Sequence, residues 1–402
     1  MTDLTSEQTA TMVLYGQAAT LGKRGEHEAA IKMYDVVVAR FENDRDAVVR
    51  YVVAMSLYNK GVELAGLQRS EAAILAYDEV IRRFGAAREA NIQQQVALAL
   101  HNKAGRLMEL GRPEEELGVY DEILARFGDS RDADMRALVA RILYNKGGTL
   151  AQFAHFEEAA RTYAQLVARF GGAAEDNIKA TVSLGFVNGA AMLDRLGQHE
   201  EALQVCDAFV ARLGDSTNPL VRAALASALF NKGNTFKLLG RAEDSIRAYR
   251  ALVEHFGEAT ELEIAGSVAS ALFNMANGLY ALGRADEAVA TYDELEARLG
   301  SVQEAGVQCK VAAALGNKAG TLAQSGRMTE ALRVFDDVIA RFGESPEGDM
   351  TRVIEQARNN RSALLRALES GRSATASRTA SEPCPCGSGV AFVLCHGAPE
   401  PP

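Results

Sequence analysis

The sequence predicts an all-α protein, a solenoid of repeated helical hairpins, and three observations lead to that prediction. An asparagine recurs every 43 residues from Asn59 to Asn360, without a single insertion. Apolar and small residues in each period are separated by four, four and three positions, which is the stripe of one helix face. Only three of the eight prolines precede residue 383, and proline costs roughly 3 kcal/mol inside a helix.

Each period is expected to hold two helices joined by a glycine turn. The stripe of Val53, Leu57, Gly61 and Leu64 predicts a first helix of about 22 residues. A shorter second helix follows, with an aromatic residue such as Tyr77 eighteen positions after the asparagine. Small residues two positions after the asparagine are expected to let the paired helices approach closely. The turn glycines are Gly111, Gly197, Gly240, Gly283 and Gly326.

The repeated phrase itself resembles a known family. Leu-Phe-Asn-Lys-Gly at 229–233, then a glycine turn, then alanine and tyrosine on the second helix, is similar to the tetratricopeptide repeat. That family has 34-residue units, so the extra residues here are expected to extend the first helix backwards by about two turns. The resemblance covers roughly residues 5 to 370 and implies a right-handed α-solenoid of eight hairpins closed by a capping helix.

The C-terminal part of the chain has a different composition. Residues 1–370 are expected to form the solenoid, with a polar capping helix at about 351–369. The small polar residues of 371–382 predict a flexible linker. A zinc motif is expected at 383–397 and a disordered tail at 398–402.

The recurring asparagines are the first candidate binding residues. In tetratricopeptide proteins the first helices line a concave groove, and the resemblance implies that these carboxamides hydrogen-bond the backbone of an extended peptide. A carboxamide offers both a donor and an acceptor, as a peptide group does. The alternative is that they only satisfy groups within the stack. The candidates are Asn59, Asn102, Asn145, Asn188, Asn231, Asn274 and Asn317.

Neighbouring side chains would add sequence preference to such a groove. The residue before the asparagine is often ring-bearing, as in Tyr58, His101, Tyr144, Phe230 and Phe273. Hairpins six and seven add a second set on the same helix face and are predicted to be the strongest part of the site. The lysine that follows most of the asparagines is expected to leave its ammonium group in solvent. The second set is Asn234, Lys237, Asn277 and Tyr280.

The C-terminal cysteines predict a metal site. Cys384, Cys386, Cys395 and His396 are spaced C-x-C-x8-C-H and supply four ligands for tetrahedral Zn²⁺. With Phe392, this string resembles the SEC-C motif, first recognised at the C-terminus of the translocase ATPase SecA. Four protein ligands leave no open position, so the zinc is expected to be structural. Apolar residues at 390, 391, 393 and 394 replace lysines of the motif and favour docking on a hydrophobic partner surface.

Charge and composition exclude several other classes of protein. The net charge of −10 disfavours nucleic-acid binding. No apolar run is long enough to span a membrane, and the first residues lack a secretory pattern, so a cytoplasmic location is expected. The acidic run Glu114–Glu116 is interpreted as favouring a helix dipole. No catalytic motif occurs, so an enzyme is not expected.

The sequence therefore predicts a non-catalytic adaptor that binds a peptide or protein segment in the groove, with the zinc tail as a second contact. Its uniform repeats resemble bacterial adaptor proteins. Two alternatives remain: a regulatory subunit of a separately encoded enzyme, and a factor associated with chaperones, translocation or ribosomes through the SEC-C-like motif.

Overall fold

The computed structural model describes residues 5–259, 261–344 and 348–376, and every regular element in these ranges is an α-helix. These ranges contain eight helical hairpins and one single helix, which confirms the predicted fold class. We call the first helix of each hairpin its A helix and the second its B helix. The chain divides into two compact units, Met1–Glu201 and Ala202–Pro402.

The first unit is a stack of hairpins in which each A helix packs on its own B helix and B helices contact the next A helix. Most A helices have 20 residues and the B helices have 15, so the first helix is the longer one, as predicted. The helices are α1 (Ser6–Lys23), α2 (His27–Phe41), α3 (Ala47–Gly66), α4 (Ser70–Phe84), α5 (Ala90–Glu109), α6 (Pro113–Phe127), α7 (Ala133–Gln152), α8 (Phe156–Phe170), α9 (Asp176–Arg195) and the start of α10 (His199–Leu213).

The second unit continues the same hairpin pattern from α10 onward. None of the described helices of the chain is both long and apolar enough to cross a membrane. The further helices of the second unit are α11 (Pro219–Leu238), α12 (Ala242–Phe256), α13 (Leu262–Ala281), α14 (Ala285–Leu299), α15 (Ala305–Gln324), α16 (Met328–Phe342) and α17 (Asp349–Ala376).

Local sequence sets the ends of these helices. The side-chain oxygens of Asp46 and Asn218 accept backbone N–H groups at the starts of α3 and α11, which satisfies donors that the helix leaves free. The predicted turn glycines take a left-handed backbone, with φ of 66° at Gly111 and 71° at Gly240. Because only glycine adopts this conformation without strain, each glycine fixes the sharp link between an A helix and its B helix.

The core lies between the A and B helices, where the sequence stripe predicts it. Val53, Leu57 and Leu64 of α3 are 2%, 4% and 6% exposed, and Tyr77 of α4 is 1% exposed. A methyl group placed on Gly61 would lie 2.4 Å from Cε1 of Tyr77. The glycine therefore lets the tyrosine ring rest directly on the A-helix backbone, as the small residue at this position predicted.

The single helix α17 covers the last hairpin. It packs on α15 and α16, and its Ile354 and Ala357 are 0% and 2% exposed. It extends to Ala376, so the first part of the range expected to be a linker, 371–376, is helical. The predicted zinc motif and tail, 383–402, lie outside the described residues.

Candidate functional site

The recurring asparagines of the A helices lie at the protein surface rather than in a closed interior. The first six, from Asn59 to Asn274, are partly exposed, and Asn317 is exposed. Each stands near the middle of its helix, one turn from the stripe residue that packs on the B helix. They are therefore accessible in both units, although their side chains are also used within the stack.

Three of the four carboxamide nitrogens in the first unit bond the preceding hairpin. Nδ2 of Asn59 donates to the Tyr15 hydroxyl at 2.8 Å, and Nδ2 of Asn102 donates to the Tyr58 hydroxyl at 3.0 Å. Nδ2 of Asn188 lies 3.4 Å from the hydroxyls of both Tyr144 and Tyr163. The oxygens of these carboxamides accept no hydrogen bond from the described part of the chain. The nitrogen therefore has the structural role that the alternative interpretation gives it. The oxygen makes no hydrogen bond with the described residues and can still accept one.

Hairpins six and seven use their additional asparagines differently. The Tyr249 hydroxyl donates to Oδ1 of Asn234 at 2.6 Å, and Nδ2 of Asn274 lies 3.3 Å from the same oxygen. Asn277 repeats this arrangement, because its Oδ1 accepts from the Tyr292 hydroxyl at 2.6 Å and from Asn317 at 3.0 Å. Burial raises the pKa of Tyr292 to about 12, so its hydroxyl remains a donor.

The other predicted groove residues surround these carboxamides. Phe230 packs against the ring of Tyr249 at a centroid distance of 5.8 Å, and Lys310 lies 5.2 Å from the ring centre of Phe273. Tyr280 is 37% exposed and its hydroxyl donates to Gln324. Lys237 is exposed. These residues and the asparagines share one face of the A helices, and their role in binding stays a prediction.

The lysines that follow the asparagines form ion pairs that the sequence analysis missed. Nζ of Lys60 lies 2.6 Å from Asp35, and Nζ of Lys103 lies 2.6 Å from Asp78. The expectation of a solvated ammonium group was therefore wrong. An aspartate recurs 25 positions before these lysines, and this spacing could have predicted the ion pairs. Because these pairs are partly exposed, each contributes no more than about 1 kcal/mol. The same pairing occurs at Lys146, Lys232 and Lys318.

One junction in the first unit departs from the regular stack. Helix α1 packs on α3, α3 on α5 and α7 on α9, whereas α5 and α7 meet far less closely. The gap opens a cavity of about 840 Å³, which we call the junction cavity. Its walls are the N-terminal halves of α5 and α7 and the end of α6, from Ala90–Leu98, Arg126–Asp132 and Asp134–Arg141.

The α5–α7 junction also lacks an ion pair that its two neighbours have. At the α3–α5 and α7–α9 junctions an ion pair ties the A helices, from Arg50 to Glu89 and from Arg136 to Glu175. Gln93 holds the corresponding position in α5, and its amide turns back to the carbonyl oxygen of Ala87 at 2.6 Å.

Glu116 of α6 is a buried carboxylate that is bonded to the next hairpin at Thr149 of α7. It is only 2% exposed, whereas the sequence analysis considered it only as part of an acidic run that favours the helix dipole. Its Oε1 accepts from the Tyr120 hydroxyl at 2.7 Å and from Thr149 of α7 at 3.0 Å. The residues 43 positions away are Ala73 and Ala159, both 0% exposed. A carboxylate side chain therefore fills space that an alanine methyl leaves to neighbouring helices.

Beside the cavity, His101 stands where the A helices of the neighbouring hairpins carry a tyrosine. Tyr58 and Tyr144 hold the same repeat position and accept from asparagines, but Nδ1 of His101 is buried without a hydrogen-bond partner among the described residues. Burial, and then the charge of Arg141, lowers the pKa of His101 to about 4. The imidazole is therefore neutral at pH 7. No group of side chains in the described ranges has the composition of a metal site.

Comparison with known proteins agrees with this fold. Residues 270–299 match the tetratricopeptide repeat, and residues 381–398 match the SEC-C motif. No curated protein matches the sequence. The apo form of RapI aligns with a TM-score of 0.50 and 10% identity, over 90% of this chain and 99% of RapI. An engineered protein aligns with a TM-score of 0.51 and 16% identity, over 90% and 97%. The repeats are of tetratricopeptide type, and the chain carries a SEC-C motif.

Proposed function

We propose that this tetratricopeptide-type solenoid is a non-catalytic scaffold that binds an extended segment of another protein on the A-helix surface. The observation that supports it most is the set of asparagine oxygens. Asn59, Asn102 and Asn188 are each held by a bond from their nitrogen, so their oxygens are fixed acceptors on the A helices. Peptide N–H groups are the matching donors, and a fixed acceptor loses little entropy on binding.

A peptide-binding experiment tests this role. A display library of random nine-residue peptides is selected on the full chain, and one selected peptide is titrated against variants. We expect Asn102→Ala to weaken binding by about 10-fold, since one hydrogen bond to the peptide is worth about 1 kcal/mol or more.

Tyr58→Phe is the matched control for that substitution. It breaks the same Asn102–Tyr58 hydrogen bond but keeps the ring and the carboxamide oxygen. We expect it to lose stability as Asn102→Ala does and to lose less peptide affinity, because the carboxamide oxygen is still present although the Tyr58 hydroxyl no longer holds it. Equal affinity losses in the two variants, or a library from which no peptide is selected, would contradict the proposed function.

We further propose that Cys384, Cys386, Cys395 and His396 hold one structural Zn²⁺. The support is the donor set itself, because three thiolates and an imidazole complete a tetrahedral zinc site within a sequence that matches the SEC-C motif. Zinc would supply the folding free energy of this short segment. Folded in this way, the segment would offer a second contact to the bound protein and raise its avidity.

Zinc content is directly measurable in the full chain. We expect one Zn²⁺ per chain, released by a thiol-modifying reagent, and none in Cys384→Ser or Cys395→Ser. Cys206→Ser and Cys309→Ser are the controls, because both cysteines lie in the solenoid. Those variants should retain the metal. A zinc-free wild-type chain purified without chelator would contradict the assignment.

A further inference from the structure

The charged residues of the junction cavity have no role in the peptide contacts proposed so far. Three residues of α7, Asp134, Leu138 and Arg141, are separated by four and three positions and so lie on one helix face. On α5, Gln94, Leu98 and His101 have the same spacing. Five of these six residues line the cavity, and His101 lies beside Arg141. The cavity thus has an apolar middle with polar groups at both ends.

Arg141 is the unpaired cation of this cavity. It is exposed and makes no ion pair or hydrogen bond with any residue that the structure describes. Arg126, which also lines the cavity, is paired with Glu122 at 2.6 Å. The positions that match Arg141 in the other hairpins carry no charge, so this cation is particular to the α5–α7 junction. They are Met12, Met55, Leu98, Leu184, Ser227, Ser270 and Ala313.

Asp134 is the corresponding unpaired anion. The other two acids of the lining are engaged, because Asp129 pairs with Arg169 at 3.1 Å and Asp132 accepts from the Met135 amide at 3.0 Å. Asp134 is exposed and has no ion-pair partner in the described ranges. It stands seven residues before Arg141, which corresponds to about 10 Å along the helix.

This separation matches an extended peptide. A peptide in the extended polyproline II conformation has three residues per turn and advances about 3.1 Å per residue, so two of its side chains three residues apart lie on the same side, about 9 Å from each other. Leu98 and Leu138 lie between the charged ends and would contact the intervening residues. A volume of about 840 Å³ is within the usual range of ligand pockets.

We propose that the junction cavity binds an extended segment of the partner protein with an acidic side chain against Arg141 and a basic side chain, three residues away, against Asp134. This inference rests on the proposed function and adds to it the chemistry of the segment. Charge complementarity at a fixed spacing selects the segment, while the apolar middle contributes affinity. The carboxylate–guanidinium pair is the stronger of the two contacts, because a guanidinium can bind a carboxylate through two parallel charge-assisted hydrogen bonds.

Defined peptide arrays test the proposal. Nine-residue peptides carry Glu-x-x-Lys or Lys-x-x-Glu at the centre, with mixed neutral residues elsewhere, and matched arrays replace either charge by Gln. A third array places the two charges adjacent to each other. We expect the full chain to prefer one order at the spacing of three. Gln in place of Glu should weaken binding by about 10-fold or more, and adjacent charges should weaken it similarly.

A charge exchange in the protein gives the sharpest result. Arg141→Glu alone should abolish the preference, and the double variant Arg141→Glu with Asp134→Lys should prefer the reverse order. Both residues are exposed and unpaired in the described structure, so the fold should tolerate the exchange. Arg131→Glu, an exposed neighbour in sequence outside the cavity lining, makes the same charge change and should leave the preference intact.

The outcomes separate this proposal from the proposed function. If the chain binds peptides that need Asn102 but the double variant keeps the wild-type order, the cavity assignment is wrong and the scaffold role stands. If no array peptide binds and no peptide is selected from the random library, both proposals fail.

Discussion

Replacing Ile354 by Asp is expected to detach α17 from the end of the solenoid. Ile354 is 0% exposed and lies in the helix that packs on α15 and α16. The substitution removes about 2 kcal/mol of apolar burial and places a carboxylate in a site that is closed to solvent. We expect a loss of about 4 kcal/mol or more in the free energy that holds α17 in place.

Hydrogen exchange on the full chain measures this effect locally. The amides of α17 should exchange at rates near those of an unfolded chain, and protection should fall in α15 and α16, because hairpins in a stack depend on their neighbours. Gln356→Asp introduces the same residue two positions away at an exposed site and should leave protection nearly unchanged. Equal protection of α17 in Ile354→Asp and wild type would show that this helix is not held by its buried face.

Replacing Gly233 by Ala is expected to force the α11–α12 hairpin apart. The added methyl group would lie 2.3 Å from Cε1 of Tyr249. The ring has little room to move, because it is 1% exposed and its hydroxyl is bonded to Asn234. Overpacking of this kind costs about 1–3 kcal/mol, and we expect the upper part of that range.

Gly266→Ala in α13 is the control within the same unit. A methyl group there has no neighbour within 4 Å, and Ala stabilises a helix interior by up to about 1 kcal/mol relative to Gly. Denaturant unfolding followed by circular dichroism should therefore shift in opposite directions for the two variants. Shifts of the same sign would contradict the close contact. Hairpin seven has Ala276 at the position of Gly233, which indicates that helix separation is set hairpin by hairpin.

Most of the fold could be predicted because every repeat carries the same pattern of apolar and small residues. The stripe that begins at Val53 and the glycine at turns such as Gly111 recur with one period, so helix boundaries and buried faces follow from spacing alone. The end of α17 could not be predicted in this way. Residues 371–376 have no apolar stripe, and their small polar composition favours a linker.

The candidate site was less predictable, because it depends on departures from the repeat. The position of Asn102 was evident, but its nitrogen and oxygen have different roles that only the neighbouring Tyr58 hydroxyl decides. Glu116 was read with its acidic neighbours at the start of a B helix. Its register with Ala73 and Ala159, which is visible in the sequence, indicates a buried position.

Site-specific photocrosslinking of a selected peptide tests most directly where the chain binds its partner. A benzophenone amino acid replaces Gln94 or Leu184 on A helices, or Leu75 or Gln165 on B helices. All four residues are exposed, and all lie in the first unit. Our account predicts peptide adducts from one or both A-helix positions and none from the B-helix positions. Adducts formed mainly from Leu75 or Gln165 would contradict binding on the A-helix surface.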